Sequence, residues 1–265
     1  MSKPACEDAY LIQSKDLKNS YYSLTFGSFS KAGQCRPGHF VHVQLPCSDV
    51  YLRRPMSVAS VSGQANEIEI ILKVLGRGTK MMSGLKKGDP VNILGPLGVP
   101  FKFPRRNQTV IMVAGGVGFP PLLYLATEMI ARGHDPALIE FFYGGRSAGD
   151  IVEKTRIRKL GVKLRPVTED GSLGSRGLVT QAVKEFITSR KETAKPVMYG
   201  CGPEGMLKAT DDLGRKYGVG GQLSLEAPMP CGIGICLGCV VNLREGGHAR
   251  VCCDGPVFDI GEVIL

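Results

Sequence analysis

Cys231, Cys236 and Cys239 stand in a C-x4-C-x2-C arrangement within Cys231-Gly232-Ile233-Gly234-Ile235-Cys236-Leu237-Gly238-Cys239, and Cys252 and Cys253 follow a short way downstream. Four thiolates at this spacing suit a [2Fe–2S] cluster, which passes one electron at a time. Gly232, Gly234 and Gly238 let a loop wrap closely round an inorganic core and turn N–H groups toward sulfur. Those hydrogen bonds, with burial, tune the potential. Zinc is the competing reading, but its ligands more often come as two separate C-x2-C-like pairs. Spacing leaves the fourth ligand open: Cys252 and Cys253 are adjacent and in a strand would face opposite ways, so one ligates and the other stands by.

Four further motifs suit nucleotides. Arg54-Pro55-Met56-Ser57 offers a planar guanidinium fork for a diphosphate and a hydroxyl that can reach a flavin ring, although an arginine beside a proline is common on surfaces. Gly76-Arg77-Gly78-Thr79 precedes a short helix, where backbone N–H groups can meet a phosphate; an ordinary turn with a threonine N-cap is the plainer account. In this order, about 20 residues apart, the two make a flavin signal. Val113-Ala-Gly-Gly-Val-Gly-Phe-Pro-Pro121 joins an apolar strand to a helix, the setting of a nucleotide phosphate turn, although it is not a true G-x-G-x-x-G. Tyr199-Gly200-Cys201-Gly202-Pro203 also follows a buried strand, and its small residues leave room for a nicotinamide at the carboxyl edge of a parallel sheet; alone, Cys201 reads as a core thiol.

The elements that must position these residues change character along the chain. From residue 9 to about 103 the pattern is β-like, with alternation at 22–26, 40–45 and 67–74 and turn residues between, and a short helix at 79–85. This predicts an antiparallel barrel, with residues 54–57 at the end of one of its strands. Residues 100–107 read as a connector. Strands at 109–113, 137–143, 162–167 and 196–199 then alternate with helices at 120–132, 178–190 and 204–217, the sequence form of a parallel sheet with crossover helices. A last strand is predicted at 240–243. The expected organisation is a β barrel plus α/β: an FAD-binding barrel at 1–103, a nicotinamide-binding α/β domain at 104–222 and a small [2Fe–2S] segment at 223–265.

Composition narrows the function classes. At 265 residues with 43% hydrophobic and 22% charged residues, the chain can bury a core. The net charge of +9 suits an anionic cofactor or an acidic partner, but basic residues cluster only in short groups such as Arg53-Arg54 and Lys86-Lys87, which argues against nucleic acid. No secretory pattern opens the chain and no apolar run approaches a membrane span. Nine cysteines without an export signal fit a reducing compartment and metal binding, hence a cytoplasmic protein. The scattered Cys6, Cys35, Cys47 and Cys201 read as small buried or semi-buried residues.

The motif order R-P-x-S, G-x-G-T, G-G-V-G-x-x-P, C-G-P is similar to that of the ferredoxin–NAD(P)+ reductase superfamily, over about residues 8–225. That resemblance implies an FAD barrel followed by a nicotinamide domain. Residues 226–239, 251–258 and 170–177 closely resemble the electron-transfer subunits of NAD-dependent, two-subunit bacterial (class 1B) dihydroorotate dehydrogenases. The resemblance implies that Arg54, Pro55, Met56 and Ser57 line the flavin with Leu72, Lys73 and Val74 nearby, that Gly78 and Thr79 hold the FAD diphosphate, and that Gly115, Gly116 and Gly118 form the NAD turn, with Cys201 and Gly202 at the nicotinamide. It points to Cys252 as the fourth ligand beside Cys231, Cys236 and Cys239, and marks Cys253 as an extra thiol. It implies a partner subunit, two copies of each chain, that carries FMN and oxidises dihydroorotate to orotate. No residue here need act as acid or base, because placement and the cofactors carry the chemistry. The rival expectations are an NAD(P)H–ferredoxin-type reductase subunit of another redox complex, and a zinc-stabilised interaction module.

Overall fold

Alternation at period two builds the first half. Leu24 and Phe26, Val41 and Val43, Ile68 and Ile70, and Val91 and Ile93 are all buried on one side of their strands and share a core. The computed structural model describes residues 3–46, 50–190 and 195–265. Strands β1 (Ala5–Lys18), β2 (Tyr21–Gly27), β3 (Phe40–Gln44), β4 (Arg54–Ser62), β5 (Glu67–Lys73) and β6 (Pro90–Leu97) close into a barrel in the order β1-β2-β5-β4-β3-β6, antiparallel throughout. Closure leaves the barrel without an edge to protect. One helix, α1 (Arg77–Ser83), follows β5. Residues 54–57 open β4 rather than ending a strand. The long β1 was not singled out from sequence because its polar residues blur the alternation.

After the connector come β7 (Val110–Gly115), β8 (Ile139–Gly145), β9 (Lys163–Thr168), β10 (Ser175–Arg176), β11 (Val197–Cys201) and β12 (Gly221–Ser224). The central β7 and β8 are nearly continuous buried runs, as a sheet covered on both faces requires, whereas β9 and β10 toward the edge are polar and exposed in part. They alternate with α2 (Phe119–Ala131), α3 (Lys154–Lys159), α4 (Val179–Ser189) and α5 (Glu204–Tyr217). The last part of the chain holds the hairpin β13 (Val240–Asn242) and β14 (His248–Arg250), then β15 (Val257–Asp259). The sheet runs β10-β9-β8-β7-β11-β12-β15; all neighbours are parallel except β15, which pairs antiparallel with β12 through Ser224↔Val257 and Leu223↔Phe258. The chain therefore leaves the sheet at Ser224, makes the cysteine-bearing excursion and returns to the same sheet. The expected division at 222/223 falls inside β12.

That excursion also covers the outside of the barrel. On β3, Val41 and Val43 point into the barrel core, while Phe40 packs with Leu97, Leu225, Met229, Cys252 and Phe258. Among the described residues, no helix is long and apolar enough to cross a membrane.

Among the described residues, barrel and sheet are tied by ionic contacts that include Lys15–Glu153, Lys73–Asp150 and Glu69–Arg156. Glu69 on β5 accepts paired hydrogen bonds from Arg156 on α3 (2.8 and 2.7 Å) and further ones from the Ser23 and Ser60 hydroxyls, each at 2.6 Å. Burial alone would raise the Glu69 carboxyl, but Arg156 and the serines outweigh it and hold the pKa below the usual carboxylate range. Such a group stabilises the fold fully above the unfolded carboxyl pKa of about 4.3, and the contribution is lost as the pH falls through the lower folded value. Glu69→Gln is therefore expected to cost about 1–2 kcal/mol at pH 7, the lower part of the range because the Arg156 side chain is 35% exposed. Thermal melts of the two proteins should differ by several degrees at pH 7 and converge as the pH falls below the lowered folded value; a difference that stays constant through acid titration would contradict this account.

Candidate functional site

A cleft with about 890 Å³ of empty space opens where the barrel, the sheet and the C-terminal excursion meet. Pro55, Met56 and Ser57 from the start of β4 line one wall, with Leu72 and Lys73 from the end of β5 and Thr79 from α1. The Thr79 hydroxyl accepts the N–H groups of Leu75 (3.0 Å) and Gly76 (3.2 Å), so it fixes the turn before the helix from the third helical position rather than as an N-cap. Gly78 lies under the Arg54 side chain: a Cβ there would stand only 2.4 Å from Arg54 Nε. The structure thus brings Arg54 and Gly78 together beside the cleft, while Val74 packs inward against the barrel core.

The opposite wall is the carboxyl edge of the sheet. Cys201 ends β11 and Val117 sits in the turn after β7; both line the cleft. The turn is held by close backbone approach, since a Cβ on Gly118 would lie 2.3 Å from the Cys201 carbonyl oxygen and one on Gly202 would lie 2.9 Å from the Gly115 nitrogen. Gly115, Gly118, Cys201 and Gly202 are therefore one packed junction. Gly116 takes a left-handed φ of 52° beside Tyr21. Burial, with Glu226 adding, pushes the Cys201 thiol well up, so it is a protonated thiol at neutral pH.

Sequence reasoning missed the third wall. Ser224, Glu226, Ala227, Met229 and Pro256 from the two ends of the excursion line the same cleft, as does Phe40. Glu226 is exposed at the rim, yet the walls crowd its carboxyl and raise its pKa. Also missed was a network under Lys73, whose ammonium lies 2.6 Å from Asp150 and 5.0 Å from the Tyr21 ring centroid. Asp150 also accepts Tyr21 Oη–H (3.3 Å) and the Arg146 N–H (3.1 Å). No local motif announces these residues; only the fold brings them together.

The cysteine loop begins two residues after Met229, a cleft-lining residue. The β13–β14 hairpin carries Cys239 at one foot and Cys252 at the other, and the Cys252 N–H points at Cys239 Sγ (3.5 Å) while the Val251 N–H donates to the Cys239 carbonyl (3.0 Å). Cys252 Sγ lies 3.7 Å from Cys253 Sγ. Burial works against ionisation of Cys231, but N–H groups of Cys236, Ile233 and Ile235 and contact with the Cys236 thiol draw it down to about 6. Burial and the neighbouring Cys239 and Cys253 thiols push Cys252 up. Contacts thus join Cys231 with Cys236, and Cys252 with both Cys239 and Cys253; four such thiols are the donor set a two-iron group takes. Among the described residues, no three Cys, His, Asp or Glu side chains close on one point. Cys253 faces Gly234, where a Cβ would stand 2.8 Å from its sulfur, and Arg250, paired with Asp254 (3.0 and 3.1 Å), reaches the Gly234 carbonyl at 3.4 Å. Of the scattered cysteines, Cys35 and Cys201 are buried as expected, Cys6 is exposed, and Cys47 lies outside the described residues.

Barrel, parallel sheet and the cleft at their junction define a flavin- and nicotinamide-dependent reductase of the ferredoxin–NADP reductase type, here with an iron–sulfur segment attached. Residues 9–102 match the oxidoreductase FAD-binding domain, 112–212 the oxidoreductase NAD-binding domain and 226–264 the iron-sulfur cluster binding domain of dihydroorotate dehydrogenase B. The chain is 34% identical over 259 residues to the dihydroorotate dehydrogenase B (NAD(+)) electron transfer subunit of Shouchella clausii, covering 96% of this chain and 95% of that one. With the subunit of the same name from Bacillus cereus it shares 33% identity over 266 residues, 98% of each chain. A solved NADH-dependent reduced ferredoxin-NADP oxidoreductase superposes with a TM-score of 0.85 at 27% identity, over 97% of this chain and 89% of that one. A ferredoxin reductase of carbazole 1,9a-dioxygenase, at 22% identity, a TM-score of 0.69 and coverage of 82% and 66%, shares the fold. The chain belongs to the family of dihydroorotate dehydrogenase B electron transfer subunits.

Gly232 carries the sharpest demand in the cysteine loop. Its φ is 70°, and a Cβ would meet the His42 ring at 2.7–3.0 Å. Gly232→Ala is expected to cost about 1–3 kcal/mol locally, from the left-handed backbone and the collision. Iron per chain should fall well below that of the parent while FAD content is unchanged; equal iron in both proteins would contradict this reading.

Proposed function

We propose that the chain carries electrons between a partner subunit, which holds FMN and oxidises dihydroorotate to orotate, and NAD+. Oxidation of the substrate releases two electrons and two protons; NAD+ takes up both electrons and one proton. The iron–sulfur group supplies one-electron transfer, and FAD, competent in both one- and two-electron steps, links it to hydride transfer. The observation that carries this reading is the composition of the cleft: barrel residues, a sheet-edge residue and both ends of the cysteine-bearing excursion line one space. A flavin there contacts the nicotinamide side and the cluster side of the same chain.

In this reading Arg54, Gly78 and Thr79 hold the FAD diphosphate, and Pro55, Met56, Ser57, Leu72 and Lys73 surround the ring system, Val74 contributing only backbone. Gly115, Gly116 and Gly118 admit NAD, with Cys201 and Gly202 leaving room for the nicotinamide. Cys231, Cys236, Cys239 and Cys252 ligate the cluster; the hairpin pairing of Cys239 with Cys252 supports the last choice. Ile233, Ile235, Leu237 and Val240 are exposed around the loop, an apolar rim suited to a partner surface. The assembly contains two copies of each subunit and works in the cytoplasm, where the free thiols remain reduced. The likeness to the ferredoxin-NADP oxidoreductase over 97% of this chain favours, as a second reading, a reductase subunit of another redox complex.

Co-expression with candidate FMN-containing partners tests the proposal. The expected product is a brown-yellow complex with one FAD and about two irons per copy of this chain, active in dihydroorotate-dependent NAD+ reduction; zinc in place of iron, or no FMN subunit in the complex, would defeat it. Cys252→Ser should abolish the cluster's visible absorption and Cys253→Ser should preserve it; the opposite pattern would exchange the two assignments. Ile235→Asp combined with Leu237→Asp should leave FAD and iron in place but weaken partner capture at least tenfold, as read by retention in a pull-down.

A further inference from the structure

His42 is fully buried and neither of its ring nitrogens has a hydrogen-bond partner. It lies on the outward side of β3, between the cross-strand residues Pro55 and Leu94. Phe40 packs beside it, ring centroids 5.6 Å apart. The third side is the cysteine loop: Cε1, Nδ1 and Nε2 stand 2.7, 2.9 and 3.0 Å from where a Gly232 Cβ would be, so the ring edge bearing both nitrogens is turned onto the residue after Cys231. Arg53 is engaged elsewhere, donating to the His42 carbonyl at 3.3 Å and to Asn92. A neutral imidazole carries one N–H donor and one acceptor, and protein interiors rarely leave both unspent.

The barrel side of this arrangement belongs to the flavin wall, since Phe40 and Pro55 both line the cleft. His42 thus lies, with Phe40, at the seam between the cleft wall and the cysteine loop. We propose that His42 is a positioning residue for the iron–sulfur group, its ring N–H aimed at a sulfur of the group held by the loop, seating the Cys231–Gly232 end and favouring the reduced form. The proposal rests on the reading of these cysteines as cluster ligands. Reduction adds one electron and no atom to the group, and an N–H directed at sulfur stabilises the added negative charge. Removing that donor lowers the potential; replacing it with another N–H restores it.

The test uses the FAD- and iron-loaded chain labelled with nitrogen-15 only in histidine. Pulsed EPR of the reduced cluster is expected to detect a histidine nitrogen that disappears in His42→Leu. In redox titrations followed by EPR, His42→Leu should make the reduction equilibrium about tenfold less favourable, about 59 mV for one electron, and His42→Gln should remain within about twofold of the parent. Absence of histidine coupling in the loaded parent, or equal shifts in the Leu and Gln variants, would overturn the proposal. Should His42→Leu fail to load, the parent's coupling and the Gln potential still decide. A parent that binds no iron would instead refute the cysteine assignment on which the proposal stands.

Discussion

The antiparallel pairing of β15 with β12 is the constraint on which the rest of the molecule depends. The chain reaches the sheet edge at Ser224 and must be back beside it at Val257, with the Leu225 N–H donating to the Pro256 carbonyl at 2.9 Å to close the neck. Everything between is therefore a closed excursion anchored at both ends, not a tail. Its two ends, Glu226 to Met229 on one side and Pro256 on the other, become walls of the cleft. Its apolar interior, with Cys239, Val251 and Cys252, packs on Phe40 and Leu97 of the barrel. An electron carrier inside the excursion is in this way fixed relative to both the barrel and the sheet, and the rate of electron transfer between groups depends on such fixed placement more than on any acid or base.

The ionic contacts join barrel and sheet beside the cleft. Arg156 grips Glu69 in a paired geometry whose direction as well as strength is specified, because a planar guanidinium meets a carboxylate in one orientation. Lys73 and Asp150 form another tie, beneath the β4–β5 wall of the cleft, with the ammonium over the Tyr21 ring. Both join strand β5 of the barrel region to the α3 side of the sheet. A carboxylate so buried is costly unless each oxygen is satisfied, and Glu69 has two donors at each oxygen.

Local sequence revealed what local sequence can encode. The C-x4-C-x2-C loop, the strand–turn–helix contexts of Gly115 and Gly202 and the change from alternating to continuous apolar strands each lie within a short window, and helix 204–217 coincides with Glu204–Tyr217. The antiparallel β15 was illegible because three residues carry no period and their partner is β12, across the whole excursion. His42 was equally hidden. In Phe40-Val-His-Val-Gln44 the alternation places histidine on the side opposite Val41 and Val43, which for a lone strand means solvent. Only the excursion folding over that face makes it the inside of the molecule. Glu69 and Arg156 carry no local signal either, because each finds its partner only when α3 packs on β5, 87 residues away in sequence.

The glycines teach a related distinction between what the chain needs and what a ligand needs. Gly118 and Gly202 read from sequence as room for a nucleotide, yet the fold demands both, because β7 and β11 end too close together for a side chain at either place. Their presence alone therefore cannot separate a nucleotide turn from tight packing. Gly76 differs. Its φ of −159° is extended backbone that any residue adopts, and a Cβ there would meet nothing within 4 Å. The fold does not require glycine at that position, immediately before α1 and beside the cleft. Glycine there is a permissive N-cap rather than a demand of packing, and it leaves the turn before α1 uncrowded between Leu75 and Thr79, which line the cleft.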